Sequence, residues 1–294
     1  MHTLIQQLIR EGPVVTDGAW GTELQARGLE AGDCPDTWNL EHPGRVEYVA
    51  RAYVEAGSRI VLTNTFRSNR VALARHGLAD RVVEINRAGV EISRRAAGGR
   101  AYVFASIGPS GKLLMTGEVS EEELRAGFVE QVKALAEGGA HGLVVETMSD
   151  LAEAKLAVAA ARETGLPIVA CMAFDSGKDK DRTMTGATPE QAVAELTAVG
   201  ADVIGANCGQ GIEAYVPISR RLRAATDRPV WIKPNAGLPE LVDGRVSYKT
   251  TPEEFARHAP SLVQAGAAFI GGCCGTNPEF IRALSRALAR NERP

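Results

Sequence analysis

Histidine is scarce in this chain, aromatic side chains are few, and charge of either sign is nearly balanced. Of 294 residues five are histidine, and positions 2, 42, 76, 141 and 258 are scattered, none closing an apolar run. A histidine-based metal centre, the commonest kind, is therefore not expected. Formal net charge is only -3, which gives no reason to expect a nucleic acid or an acidic membrane as partner. No window approaches 18 uninterrupted apolar residues, so no membrane span is predicted. The opening MHTLIQQLIREGPVV lacks a basic stretch, a long apolar core and a small-residue cleavage site, so it does not read as a signal peptide. The five cysteines, at 34, 171, 208, 273 and 274, are not the even, spaced set of a disulfide framework. A reducing cytoplasm is expected instead, where clustered thiols point to metal or catalysis.

What the sequence does contain is eight short apolar runs bounded by turn residues: PVVTDG (13–18), RIVLTNTF (59–66), AYVFASIGP (101–109), GLVVETM (142–148), PIVACMAF (167–174), VIGANC (203–208), PVWIKPNAG (229–237) and AFIGGCCG (268–275). They are continuous rather than alternating, the pattern of parallel strands buried on both faces. Stretches of helical spacing separate them, several opening on Asp or on Thr-Pro followed by Glu, which supplies cap chemistry. Eight strands alternating with helices predict a single (β/α)₈ TIM-type barrel over residues 1–294, α/β in class, with its active site at the C-terminal ends of the strands. A doubly wound open sheet is the alternative. No domain boundary is visible, and the least structured stretches are 28–43, 109–120, 175–187 and 237–251.

A weak internal repeat supports the barrel. Glycines 57, 139, 200 and 266 each precede an even-numbered strand, and seven residues on from them stand Asn64, Glu146, Asn207 and Cys273. Alternate strands of such a barrel contribute to one interior layer, so polar and thiol groups from four strands are expected at one height.

The cysteines fall at informative places. Cys171 lies within an apolar run and Cys34 in a loop, and both read as inert small residues. Cys208 ends the sixth run, while Cys273 and Cys274 end the eighth among Gly271, Gly272 and Gly275. A regular strand would aim adjacent cysteines at opposite faces, so the glycines must let the backbone leave strand geometry. Three sulfurs from two strand ends would then converge on one soft tetrahedral ion, Zn²⁺ above all, with a fourth position left for a substrate. Such an electron-rich site suits an incoming thiolate better than water, and the chemistry suggested is thiol alkylation. Glu146, ending the fourth run, can hold a substrate ammonium. Asp17, in the TDGAWGTEL turn, is expected to help hold a substrate carboxylate through the amides that follow it. Asn235, in KPNAG, can contact ligand or metal.

DGAWGTEL, TNTF, ASIGPSG, VVETM, TMTGATPE, GANC, PNAG and GGCCGT occur here in the order in which they occur in the homocysteine S-methyltransferase family, and the likeness runs from about residue 12 to 290. The chain looks most like the homocysteine-binding module of cobalamin-dependent methionine synthases, with the betaine– and S-methylmethionine–homocysteine methyltransferases as similar relatives. The resemblance implies a zinc barrel with Cys208, Cys273 and Cys274 as ligands and catalytic centre. It implies that Asp17, the Gly18, Ala19 and Thr22 turn, and Glu146 hold the amino-acid end of homocysteine, with Asn235 near the metal. The implied reaction is methyl transfer to homocysteine, giving methionine. Methionine synthases carry folate and cobalamin modules beyond this one and the chain here stops at residue 294, which leaves the donor open among S-methylmethionine, betaine and a methylcorrinoid protein. Trp20 and Trp38 are the candidates for boxing a cationic donor.

Two further readings compete. GGCCGTNP precedes a helix and resembles a phosphate cradle, with Lys233 as the imine-forming lysine of an aldolase. Alternatively, the barrel is a homocysteine-activating subunit that requires a separate corrinoid or folate partner.

Overall fold

A computed structural model describes residues 1–242 and 245–290; residues 243–244 and 291–294 of the expected single domain lie outside the described residues. Eight parallel strands build the centre: β1 (Val14–Val15), β2 (Ile60–Val61), β3 (Tyr102–Ile107), β4 (Gly142–Met148), β5 (Ile168–Met172), β6 (Val203–Gly211), β7 (Val230–Asn235) and β10 (Ala267–Ile270). Their order is β1-β10-β7-β6-β5-β4-β3-β2, and the parallel bridge between Thr16 and Ile60 brings the two ends together. This is the expected (β/α)₈ barrel, and each of the eight apolar runs overlaps one of its strands, six of them containing it whole. The runs are continuous because both strand faces are covered. Val14, Ile60, Phe104, Val144, Val203 and Phe269 pack inside the ring, while Val15, Val61, Val103, Leu143 and Ile204 meet the surrounding helices.

Aromatic stacking fills the interior: Trp231 lies 5.2 Å from Phe269 and 6.4 Å from Phe104, ring centre to ring centre. Ile5 and Leu8 of the helix Thr3–Ile9 join this cluster. His2 N donates to Asp202, just ahead of β6, so that helix plugs the N-terminal end of the barrel and leaves the other end for chemistry. Caps set the phase of the outer helices. Asp150 caps Leu151–Arg162, and Thr188-Pro189 and Thr251-Pro252 open reciprocal capping boxes with Gln191 and Glu254, each cap typically contributing about 1 kcal/mol.

One element departs from the sequence reading. The stretch 237–251, expected to be among the least structured, carries an antiparallel pair, β8 (Glu240–Val242) and β9 (Arg245–Ser247). An Asp-Gly dipeptide between two short extended runs is the signal for it. The pair belongs to the connection after β7, at the mouth of the barrel.

Candidate active site

Three thiols meet at the C-terminal ends of the strands. The Sγ atoms of Cys208, Cys273 and Cys274 all lie within 4.8 Å of one another, and Cys208 and Cys274 are 3.9 Å apart. Tetrahedral zinc with Zn–S bonds of about 2.3 Å separates its sulfurs by about 3.8 Å, so the spacing fits a metal held by all three. The donor set fits as well. Asn235 Oδ1 is buried and has no hydrogen-bond partner among the described residues, so one more oxygen donor stands unused beside the thiols.

Backbone irregularity produces this convergence. β10 ends at Ile270, and the two cysteines follow in a turn, so neither obeys strand alternation. The turn is fixed from outside: Gly271 N donates to Ile232 O, Gly272 N to Asp17 O and Cys273 N to Pro234 O, while Cys274 O accepts from Ala236 N. A side chain at Gly271 would collide with Thr16 Oγ1 and the Asp17 carbonyl, and Gly275 has φ +80° with the Tyr248 ring packed where a Cβ would stand. On β6, Cys208 itself adopts φ 64°, a left-handed conformation that costs a non-glycine residue about 1–2 kcal/mol. A register shift between Cys208 and Gly211 follows, and Tyr215 Oη donates to Cys208 O at 2.6 Å, holding the turned carbonyl.

The cluster's charge is unequal. Hydrogen bonds from Cys273 and Cys274 pull the Cys208 thiol down to about 3. Donation to that thiolate raises Cys273 well above the usual thiol range and Cys274 to about 11. A cation held by all three sulfurs would displace the protons that remain on them.

The other expected residues surround this cluster in different ways. Glu146, on β4, is 8% exposed; Oε1 accepts from Ser106 Oγ at 2.5 Å and Oε2 from Asn207 Nδ2 at 3.4 Å. Burial raises its pKa above the usual carboxylate value, against the opposing pull of Lys233 and Ser106. Asn207 also donates to Thr147 Oγ1 at 2.7 Å and approaches Cys273 Sγ at 3.8 Å, which joins carboxylate and thiols in one layer. The repeat's expectation holds for Glu146, Asn207 and Cys273. Asn64 differs: its amide donates to Pro35 O and Asn39 Oδ1, away from that network.

The first-strand turn is stitched to the cysteine turn. Thr22 Oγ1 accepts from Gly275 N at 3.2 Å, Ala19 N donates to Thr276 Oγ1 at 3.1 Å, and Thr276 Oγ1 donates to Cys273 O at 2.7 Å. Gly18 is held close to Thr276 and Tyr53, with no room for a side chain. Asp17 is 0% exposed, and both its oxygens are engaged by protein donors.

Lys233 answers the aldolase reading. Its Nζ lies 2.5 Å from Asp17 Oδ1. Burial by itself would lower its pKa, but the charges of Asp17 and Glu146 overcome this and raise it. An imine-forming lysine needs a free amine, hence a lowered pKa, so Lys233 is an ion-pair partner and not a nucleophile. Trp38 is buried edge-on to His42, with Arg45 over its ring, and so is packing. Trp20 is half-buried and donates Nε1 to Asp17 Oδ2. Cys171 is buried among the barrel interior residues and Cys34 beside Leu73, Val82 and Ile85, as expected of inert thiols. Ser106, Tyr215, Tyr248 and Thr276 were not anticipated. Serine, tyrosine and threonine carry no motif signal; Ser106 acts through the adjacent strand, Tyr215 within its own strand–helix unit, and Thr276 and Tyr248 through contacts with the cysteine turn.

By fold and site, the chain is a (β/α)₈ barrel with a cluster of three thiols that could hold a metal ion at the C-terminal ends of its strands. The homocysteine S-methyltransferase family model matches residues 14–288, and the chain belongs to that family. It is 34% identical to the methionine synthase of Mycobacterium tuberculosis and 32% identical to that of Mycobacterium leprae, over 99% of its own length in both cases. It spans about a quarter of those relatives, 26% and 25%. The homocysteine methyltransferase MmuM of Escherichia coli, in a metallated form, superposes with a TM-score of 0.81 at 24% identity, covering 97% of this chain and 99% of that one. Its oxidized form gives 0.78 at 25% identity, over 93% and 95%. These likenesses speak for the fold. Among the described residues, no helix is long and apolar enough to cross a membrane.

Proposed function

We propose that this chain transfers a methyl group to the thiol of homocysteine, giving methionine, with Zn²⁺ held by Cys208, Cys273 and Cys274. The observation that carries the reading is the convergence of three thiols, all within 4.8 Å of one another, in a barrel of the homocysteine S-methyltransferase family. Bound zinc supplies a lowered pKa for an incoming thiol, which then reacts as thiolate at neutral pH. The chain's own groups orient the substrate. Glu146, held by Ser106 and Asn207, takes the α-ammonium. The Gly18–Thr22 turn, with Ala19 and Thr22 tied to the cysteine turn, takes the carboxylate. Asn235 Oδ1, buried and without a hydrogen-bond partner among the described residues, would serve the metal or the entering sulfur. Tyr248, packed over Gly275, shields the site from water.

The sulfur lone pair forms the new S–CH₃ bond as the donor's bond to that methyl breaks, its electrons leaving with the donor, and the thiol proton passes to solvent. Orientation within the barrel makes the displacement effectively unimolecular. S-Methylmethionine and betaine are donors of suitable chemistry. A second reading, delivery by a methylcorrinoid protein, draws on the methionine synthase likeness and on the exposed apolar side chains Met115, Met184, Leu238 and Leu241 in the connections at the barrel mouth. Working thiols that must stay reduced favour a reducing compartment such as the cytoplasm. The test is methionine formation from homocysteine and S-methylmethionine with zinc-loaded protein and no corrinoid. Product at an enzymatic rate supports a self-sufficient enzyme. No product, from protein that holds zinc and homocysteine, excludes that donor and sends the search to betaine and then to a methylcorrinoid protein.

A further inference from the structure

At the N-terminal end of the barrel, opposite the thiols, a cavity of about 250 Å³ opens between the helix Val82–Ala97 and the starts of β3 and β4. Arg94, Arg100, Tyr102 and His141 supply its polar wall, and no carboxylate lines it. Other arginines nearby are neutralised. Arg87 and Arg95 of the same helix pair with Glu137 and Glu47, and Arg59, just ahead of β2, pairs with Glu11. Among the described residues neither Arg94 nor Arg100 has an ion-pair partner, and both are exposed, so an anion can reach them.

The wall is held in place by its own bonds. Arg94 donates to Gly139 O, in the turn that enters β4, which leaves most of its N–H groups free. His141 Nδ1 accepts from Val103 N at 2.9 Å, so the neutral ring carries its proton on Nε2 and is a donor there. Tyr102 meets that ring edge-on, with 5.5 Å between ring centres. Burial lowers the pKa of His141, and the charge of Arg94 lowers it further, a sign of positive potential in the cavity. The C-terminal turn of the helix, which carries Arg94, opposes this with only about half a negative charge. Two guanidiniums outweigh it.

Charge and size name the ligand. A guanidinium fork matches the oxygens of a carboxylate or of a phosphate. A single carboxylate would balance one of the two cations, whereas a phosphate monoester, with a charge of about -1.5 to -2 at neutral pH, balances both. Water occupies about 30 Å³ in the liquid, so the cavity has room for a phosphate and several further atoms.

We infer that this cavity binds a phosphate group, free or borne by a small ester, with Arg94 and Arg100 as its charged contacts and His141 Nε2 as a neutral donor. The site is separate from the methyl-transfer centre and stands at the far end of β3 and β4, the strands that carry Ser106 and Glu146. Its ligand is held there and not transformed.

The test is calorimetric titration of the full chain at constant ionic strength, with glycerol 3-phosphate, inorganic phosphate and acetate as probes. At least one phosphate probe is expected to bind once per chain with a Kd of about 1 mM or below, and acetate at least tenfold more weakly. A tighter ester assigns the site to phosphate esters, and equal affinities assign it to free phosphate; both support the inference. Arg94→Gln and Arg100→Gln should each weaken phosphate binding by about tenfold, the scale of one hydrogen bond to a charged group. In wild type, with no variant needed, phosphate should shift the ring resonances of His141. Absence of saturable phosphate binding would overturn the inference, and so would acetate binding as tightly as phosphate. Affinity unchanged in both arginine variants, or a phosphate signal that Cys208→Ala abolishes while the two arginines are intact, would do the same by placing the anion elsewhere.

Discussion

Thr147 and Cys208 leave their strands in the same left-handed backbone conformation, φ 58° and 64°, and Asn207 Oδ1 accepts from Thr147 N at 2.7 Å to lock the first beside the second. Non-glycine residues pay in strain for this geometry, and here it turns β4 and β6 so that Glu146 and Cys208 face one pocket. Both strands shift register at these points, β4 between Val145 and Met148 and β6 between Cys208 and Gly211.

Asn207 is the joint between carboxylate and thiols, and its removal should separate them functionally. Asn207→Ala is expected to weaken homocysteine binding roughly tenfold, the loss of hydrogen bonds to a charged group, while one metal per chain is retained. Metal analysis and calorimetry on the same sample check this. A variant with unchanged homocysteine affinity would remove Asn207 from the site.

Gly275 has no room and the wrong sign of φ for a side chain. Gly275→Ala should destabilise the protein by roughly 1–3 kcal/mol and weaken metal retention, because Tyr248 and the cysteine turn must move together. Thermal melting with a chelator competition measures both. Full stability with wild-type metal affinity would contradict the packing argument.

Asp36, which accepts from the Cys34 thiol at 3.8 Å, gives a pH dependence separate from the Cys208, Cys273 and Cys274 cluster. Burial pushes its carboxyl up to about 7 from an ordinary value of 3.8, although it accepts from Arg67 N. A raised folded-state value means that the folded protein holds this proton more tightly than the unfolded chain. Its contribution to stability is complete below pH 4 and is lost as pH rises through about 7. Denaturation midpoints of wild type and Asp36→Asn, compared at pH 5 and pH 8, should show wild type losing ground to the variant at the higher pH. A constant gap would refute it.

The fold was legible because its physics is local. A strand buried on both faces needs an unbroken apolar run, and the eight runs announce themselves. The thiols were legible because GGCCG combines rare side chains with backbone freedom at a strand end. What escaped depends on register. Ser106 is an ordinary polar residue until the neighbouring strand β4 brings Glu146 to it, and the bond from Asn207 to that carboxylate reaches past β5. Asp17 was read as part of the substrate's grip, yet its buried position and its engagement by Lys233, 216 residues away in sequence, set it apart from Glu146. No spacing rule reports such a pairing. The β8–β9 hairpin escaped because its charged, exposed flanks resemble a loop, despite the Asp-Gly dipeptide.

The central claim is that three thiols hold one metal and that homocysteine binds only where that metal sits. The most direct measurement is metal content and homocysteine affinity, determined together for wild type and for Cys208→Ala and Cys273→Ala. The account predicts one zinc per chain in wild type, and loss of zinc and of homocysteine binding together in both variants. A variant that binds homocysteine at wild-type affinity without zinc would contradict it.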